Sequence, residues 1–276
     1  MVDVMEAGQQ DVTFAGTIPA HYEDGLGPVI FAPYADDLVK RVAARVKSGR
    51  LLETACGTGV LTRRLDTVLL RPVQITATDL NEGMLAHARS KVAPSDRLQW
   101  QTADAAALPF ASEAFDAAAC QFGLMFVPDK AAAFREARRM MRAGGQFFFN
   151  VWCRIEENPF ARIAHATIGK FFGSQPPTFY QVPFGFHDAD VIASHLRASK
   201  FVDVTMERVT LEVTASSAHG FARGLVEGNP IANAIREAGL SFATIVDAVK
   251  AVLVAEGGDA PFKSAMNALV CHARAA

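Results

Sequence analysis

Apolar residues along the first half of the chain fall alternately into short unbroken runs and into positions three or four apart. That is the rhythm of βαβ units built around a parallel sheet. Residues 33–48 predict a helix with Leu38, Val42 and Val46 on one face, and residues 50–55 a short strand ending in glycines. A helix over 60–69 and a strand over 74–79 follow. Asn81 is placed to cap the next helix, which turns Met84, Leu85 and Ala88 inward. Further strands are expected at 98–102, 115–122 and 146–152, the last almost wholly apolar, as a central parallel strand should be. The helix before it, 130–142, is expected to stop at Gly144-Gly145.

After Trp152 the rhythm changes. Residues 153–187 are rich in aromatics and prolines and predict one helix, 159–172. A helix over 188–199 leads back to strand-like sequence at 202–213, and a mainly helical stretch runs from Ser217 to Glu256. A last apolar run, 265–273, is able to close the sheet. The pattern predicts an α/β fold with a doubly wound, mostly parallel sheet whose last strand is antiparallel. It reads as one domain, 1–276, with residues 153–187 and 215–260 inserted as a helical lid or cap.

Composition narrows the class only a little. With 50% hydrophobic and 20% charged residues the chain is able to bury a sizeable core, and its net charge of −2 carries no basic footprint for nucleic acid. The first residues, MVDVMEAGQQDVTFAG, lack the apolar run behind basic residues that a secretory leader needs. The most apolar stretch, 243–255, is broken by Asp247 and Lys250 and is not expected to span a membrane. Cys56, Cys120, Cys153 and Cys271 lie too far apart to suggest a zinc site or a disulfide framework. The expectation is a cytoplasmic protein with reduced thiols, no metal and a small-molecule partner; oligomeric state is not legible.

The sharpest chemistry is in RLLETACGTGVLTRRL, a strand, a glycine turn and a helix. Gly57 and Gly59 let the backbone turn tightly and approach a ligand without a Cβ in the way. Asp79 ends the second strand, twenty residues past Gly59, where a carboxylate accepts the hydroxyls of a ribose. A dinucleotide fingerprint wants a small residue three positions after the second glycine, and here stands Thr62 behind the bulky Val60 and Leu61. Glu53, beside the turn, repels a pyrophosphate but attracts an ammonium. The local chemistry prefers a cationic nucleoside without phosphate.

At these residues the chain resembles class I S-adenosylmethionine-dependent methyltransferases, most closely the ubiquinone/menaquinone-biosynthesis-like group. LLETACGTG is similar to their first motif and ITATDLNEGML to their second; QTADAAALPFASEAFDAAACQFGLMFVPD and RRMMRAGGQFFFNVW are similar to the regions of the third to fifth strands. The resemblance covers residues 45–152, the expected cofactor-binding core, and implies a Rossmann-like seven-stranded sheet. It implies that Glu53, Ala55, Gly57 and Gly59 cradle the methionine and ribose, with Asp79 on the ribose hydroxyls and Leu80 and Met84 near the adenine. Asp104 would accept the adenine amino group, Ala105 would offer its amide, and Gln121 and Phe122 would lie near the sulfonium. Ala55 stands where the family commonly has glycine, and Glu53 where it has aspartate.

The implied activity is methyl transfer to a small, apolar or aromatic acceptor by in-line displacement, which needs alignment and exclusion of water more than a dedicated base. His165 and His187 are the candidate bases for a phenol or an activated carbon, set against a purely structural role for each. The alternatives are an NAD(P)-dependent oxidoreductase and a catalytically silent cofactor-binding regulator. Arg135, Arg138, Arg139 and Arg142 form either an anion site or a solvated helix face. Asp116 reads as structural, and Asn158-Pro159-Phe160 follows the wrong strand to be the motif of amino-methylating enzymes. Trp152, Phe160, Phe171, Phe172, Phe179, Tyr180, Phe184 and Phe186 either line an acceptor pocket or form the private core of a cap.

Overall fold

The computed structural model describes residues 18–276; residues 1–17, on which the reading of the leader rests, lie outside the described residues. The elements begin with α1 (Ile18–Gly25), a π-helical turn (Gly27–Phe31), α2 (Ala32–Arg45), β1 (Gly49–Glu53), α3 (Val60–Val68), β2 (Val73–Asp79) and α4 (Glu82–Lys91). Then come β3 (Leu98–Thr102), β4 (Phe115–Gln121), α5 (Lys130–Met140), β5 (Met141–Trp152), α6 (Pro159–Gly169), α7 (Gln181–Phe184) and α8 (Ala189–Ala198). The chain closes with β6 (Phe201–Ala215), α9 (Ala218–Glu227), α10 (Ile231–Glu237), α11 (Phe242–Gly257) and β7 (Phe262–Ala275).

The seven strands form one sheet in the order β3-β2-β1-β4-β5-β7-β6. Pairings from β3 to β5 are parallel, and β7 lies antiparallel to β5, with Phe149 opposite Cys271. The order reverses between β1 and β4, which places the switch point of the doubly wound sheet there. The expected seven-stranded Rossmann-like sheet is the one observed.

Two boundaries differ from expectation for a physical reason. Helix α5 ends at Met140, and the chain enters β5 at Met141, ahead of Gly144-Gly145. The register steps from Phe115 opposite Met141 to Ala117 opposite Gln146, so β5 carries extra residues in a bulge. Gly144, with φ at 81°, serves this bulge and not the end of the helix. The helix expected over 159–172 ends at Gly169 and continues as a single 3₁₀ turn, Lys170–Phe172.

Residues cluster into two compact units. The first contains the described residues up to Pro33, Arg154–Gly185 and Thr210–Asn267; the second contains Tyr34–Cys153, Phe186–Val209 and Ala268–Ala276. In the first unit α6, α9 and α11 pack on one another around Phe160, which meets Phe184 and Phe221 at ring distances of 6.4 and 5.8 Å. Phe179, Tyr180 and Phe184 are buried there, so these aromatics serve as core. Phe171 and Phe172 are half-buried. In the second unit Phe134, Phe147, Phe148 and Phe149 pack β5, and Phe186 approaches Phe134 at 6.3 Å. No helix among the described residues is long and apolar enough to cross a membrane.

Several polar residues that stand out in the sequence are consumed by this scaffold. Asp116 accepts the Arg50 amide and the Arg142 guanidinium, both at 2.7 Å. Arg139 pairs with Glu136 and donates to the carbonyls of Leu108 and Phe110, Arg138 reaches the carbonyls of Met141 and Ala276, and Arg135 lies near Asp129. The four arginines therefore hold loops and acids, not an anion site. Asn158 is fully buried; its Oδ1 accepts the Asn267 amide at 2.8 Å, and its Nδ2 donates to the carbonyls of Arg154 and Asn267. We expect Asn158→Ala to lower stability to urea by about 2–3 kcal/mol because it strands these buried groups. Arg135→Ala, losing an exposed pair, should change it by less than about 0.5 kcal/mol.

Candidate active site

The site begins with backbone conformation. Ala55, Gly57 and Gly59 take φ values of 52°, 56° and 78°, all in the left-handed region. Glycine meets this demand without cost, whereas the alanine at 55 carries strain on the order of 1 kcal/mol. A Cβ on Gly59 would lie 3.0 Å from the Ala88 Cβ, so that glycine also lets α3 and α4 approach. The turn is pinned to both neighbouring strands: the Thr54 amide donates to Ala119 O at 3.0 Å and the Cys56 amide to Thr78 O at 2.9 Å. The Thr78 hydroxyl donates to Glu53 O at 2.9 Å.

Asp79 closes the arrangement. Its Oδ2 accepts the Gly57 amide at 2.7 Å and its Oδ1 the Asn81 amide at 2.8 Å. Burial pushes its carboxyl above the ordinary value, opposed by these two amides. Asn81 caps α4 through the Met84 amide at 3.1 Å, which brings Met84 beneath the turn, its methyl 3.9 Å from where a Gly57 Cβ would stand. Leu80, one residue past Asp79, is 68% exposed. The Ala103 amide donates to Asp79 O, and Asp104 accepts the Ala106 amide at 2.8 Å in an exposed turn that contains Ala105.

Glu53 is the unusual group. It is 1% exposed, and neither its Oε2 nor the Thr62 Oγ1 has a hydrogen-bond partner among the described residues. Burial pushes its carboxyl up to about 8; the nearby Asp79 adds to the rise, while the Thr62 hydroxyl and the Arg63 guanidinium oppose it. A buried carboxylate left so is costly unless a cation meets it.

On the other side of the switch point, Gln121 ends β4, half-buried, and Phe122 turns with φ at 53°. The Phe122 amide donates to both Asn150 Oδ1 and Asn150 O, at 3.0 and 3.2 Å. Its ring stacks on Trp152 at 4.0 Å, and Tyr34 meets both rings edge-on at 5.4 Å. Gly123 follows; a Cβ there would fall 2.3 Å from the Ala55 Cβ and 2.8 Å from Cys120 Sγ. The two turns therefore touch, and the alanine at 55 is matched by the missing side chain at 123. Neither Asn150 nor Gly123 was singled out from the sequence. A lone polar residue inside FFFNVW was the available signal for the first.

His165 stands on α6 in the first unit, its ring 6.1 Å from that of Tyr180, and His187 precedes α8 in the second. Among the described residues no three His, Cys, Asp or Glu side chains form a metal-binding group.

A glycine turn at a switch point, an acid on the second strand and a second buried acid awaiting a cation define a nucleoside-cofactor enzyme of the doubly wound class. Residues 52–149 match the family described as Methyltransferase domain. The demethylmenaquinone methyltransferase of Clavibacter sepedonicus is 27% identical over 188 residues, 63% of this chain and 74% of that protein. The ubiquinone/menaquinone biosynthesis C-methyltransferase of Paracoccus denitrificans is 40% identical over 100 residues, 35% of this chain and 39% of that protein. In fold the chain is similar to the YcgJ protein from Bacillus subtilis (TM-score 0.57, 14% identity, 88% of this chain and 98% of that one). It is also similar to a phosphoethanolamine N-methyltransferase 2 of Haemonchus contortus in complex with S-adenosyl-L-methionine (TM-score 0.60, 18% identity, 96% and 58%). With residues 52–149 matching a methyltransferase domain, the chain is an S-adenosylmethionine-dependent methyltransferase similar to those of ubiquinone and menaquinone biosynthesis. The oxidoreductase and silent-regulator alternatives find no support.

The residues present fit the cofactor, because the unpartnered Glu53 oxygen suits its ammonium and Asp79 keeps lone pairs for two hydroxyls. Two outcomes follow. Gly123→Ala should weaken adenosylhomocysteine binding by forcing the turns apart, and the double variant with Ala55→Gly should partly restore it, as isothermal calorimetry would show. Glu53, protonated in the free protein below about pH 8, must ionise beside a cation. Binding at about pH 6.5 should therefore release up to about one proton, the release should shrink by about pH 8.5, and Glu53→Gln should abolish it. Calorimetry in buffers of different ionisation enthalpy measures this directly.

Proposed function

We propose that this chain methylates a small apolar aromatic acceptor of the quinone type, in its reduced form, by in-line displacement at a ring carbon. The observation that carries the proposal is the buried aromatic group Phe122, Trp152 and Tyr34, which stands at the carboxyl ends of β4 and β5 and contains no carboxylate or amine. Such a wall suits a flat apolar ring and offers no charge to hold an amine. The names of the two curated relatives, a demethylmenaquinone methyltransferase and a ubiquinone/menaquinone C-methyltransferase, support the same acceptor class.

When bound, S-adenosylmethionine supplies a methyl group made electrophilic by a positively charged sulfur. The chain's own residues do the rest. Glu53 pairs with the ammonium while Ala55, Gly57 and Gly59 let the backbone close in; Asp79 accepts the ribose hydroxyls. Leu80 and Met84 offer apolar surface to the adenine, Asp104 accepts its amino group and Ala105 offers its amide. Gln121 and Phe122 face the reacting end, where the aromatic wall excludes water. His165 or His187 serves as the base that takes the acceptor's proton. In this reading residues 45–152 are the cofactor-binding part of one domain, and residues 153–187 and 215–260 are its caps.

The decisive experiment offers the protein S-adenosylmethionine with a short-chain reduced naphthoquinone, and separately with phosphoethanolamine and histamine. Adenosylhomocysteine and a carbon-methylated quinol are expected only in the first case; turnover confined to the amines would defeat the proposal. Replacing Asp79 by alanine should weaken adenosylhomocysteine on the order of 10- to 100-fold, through loss of charged acceptors for the ribose.

A further inference from the structure

Asn150 on β5 is fully buried, and only one end of its carboxamide is used. Its Oδ1 accepts the Phe122 amide at 3.0 Å, beside the bond that the same amide makes to Asn150 O at 3.2 Å. Its Nδ2 is buried as well and meets no acceptor among the described residues. A carboxamide half used in this way adds little to stability, because the unmet N–H groups keep their desolvation cost. The run FFFNVW around it is otherwise apolar, and an apolar side chain there would avoid that cost.

What the bonded end does is set a bend. Phe122 has φ at 53°, a conformation that a bulky side chain takes only where its surroundings impose it. The second acceptor draws its amide toward β5 at the point where β4 ends, at Gln121. The bend lays the Phe122 ring on Trp152 at 4.0 Å, with 14° between the ring planes. The residues that follow have fastenings of their own. The Trp152 amide donates to Met125 Sδ at 3.3 Å, and Lys130 Nζ donates to the carbonyls of Met125 and Val127 at 3.0 and 2.6 Å. Asn150 is therefore not needed to hold the loop as a whole; its side chain acts at Phe122.

We propose that Asn150 is a positioning residue for methyl transfer: its carboxamide oxygen fixes the left-handed turn at Phe122 and so holds the Phe122 ring as a rigid face for the acceptor. The inference rests on the aromatic wall proposed above and deepens it, since the orientation of that wall is set from β5 by a polar side chain and not by ring stacking alone. A flat acceptor laid on a fixed ring presents its reacting atom along one line, which in-line displacement requires.

The test is a double-mutant cycle on turnover of the reduced naphthoquinone. Asn150→Leu should lower kcat by about tenfold or more while changing adenosylhomocysteine affinity by less than about threefold. In a Phe122→Ala background the same replacement should cost less than about threefold, because the ring it acts through is gone. Asn150→Asp keeps the acceptor oxygen and should recover most of the lost turnover. Should Asn150→Leu fail to fold, Asn150→Ala removes the same oxygen without added bulk. Equal losses in both backgrounds would mean that Asn150 acts independently of the ring, and undiminished kcat would mean that it is dispensable; either overturns the proposal. A second readout needs no acceptor. Trp152 is one of two tryptophans, so in a Trp100→Phe background its near-ultraviolet circular dichroism reports the stack on Phe122. Asn150→Leu should weaken that band and Asn150→Asp should preserve it; an unchanged band in Asn150→Leu overturns the proposal whatever the acceptor. Absent quinol turnover beside the expected loss of the band defeats the acceptor class and leaves the link from Asn150 to Phe122 standing.

Discussion

The hydrogen bond from the Gly57 amide to Asp79 is the constraint on which the cofactor-binding end of the second unit depends. It ties the turn after β1 to the last residue of β2, and the same carboxylate holds the Asn81 amide that starts the approach to α4. A carboxylate is buried here at a desolvation cost, and two amides offset part of it. Each group thereby fixes the other: the acid keeps the turn in its left-handed conformation, and the turn aims the acid and opposes part of the rise that burial causes. Everything beyond it, from the capped α4 to Met84 beneath the glycine, follows from where that turn is held.

The second constraint is electrostatic. Glu53 is buried with an oxygen that meets no donor among the described residues, and the free protein carries it with a raised carboxyl value. Such a group is unfavourable for folding alone and becomes favourable only when a cation arrives. In the proposed complex the cost carried at this carboxylate is offset when the ligand's ammonium meets it. A phosphate-bearing cofactor would aggravate the same site, which is the physical basis for preferring a phosphate-free nucleoside.

Much of the conspicuous polarity of the chain has a different purpose. The arginines of α5, Asp116 and Asn158 secure loops and strand ends, and each is tied to named backbone groups. The aromatic residues after Trp152 are divided: Phe160, Phe179, Tyr180 and Phe184 fill the first unit, while Trp152 stacks on Phe122 in the second. Side-chain type marked these residues as able to bind ligands; packing shows which are already used.

The sheet, its order of helices and strands, and the glycine turn with Glu53 and Asp79 were legible in the sequence, because each rests on local periodicity or on spacing within one βαβ unit. The end of α5 was misread, because a glycine pair stops a helix or makes a bulge with equal ease, and only pairing with β4 selects between them. Asn150 and Gly123 were invisible for a related reason. Their importance lies in contacts with Phe122 and Ala55, and the latter is remote in sequence from Gly123. Sequence alone determined what the backbone does along each unit, since neighbouring residues set turns, caps and faces. Only the tertiary structure decided which turn meets which and which acid keeps an oxygen without a donor among the described residues, because those are matters of distance between segments that local chemistry does not encode.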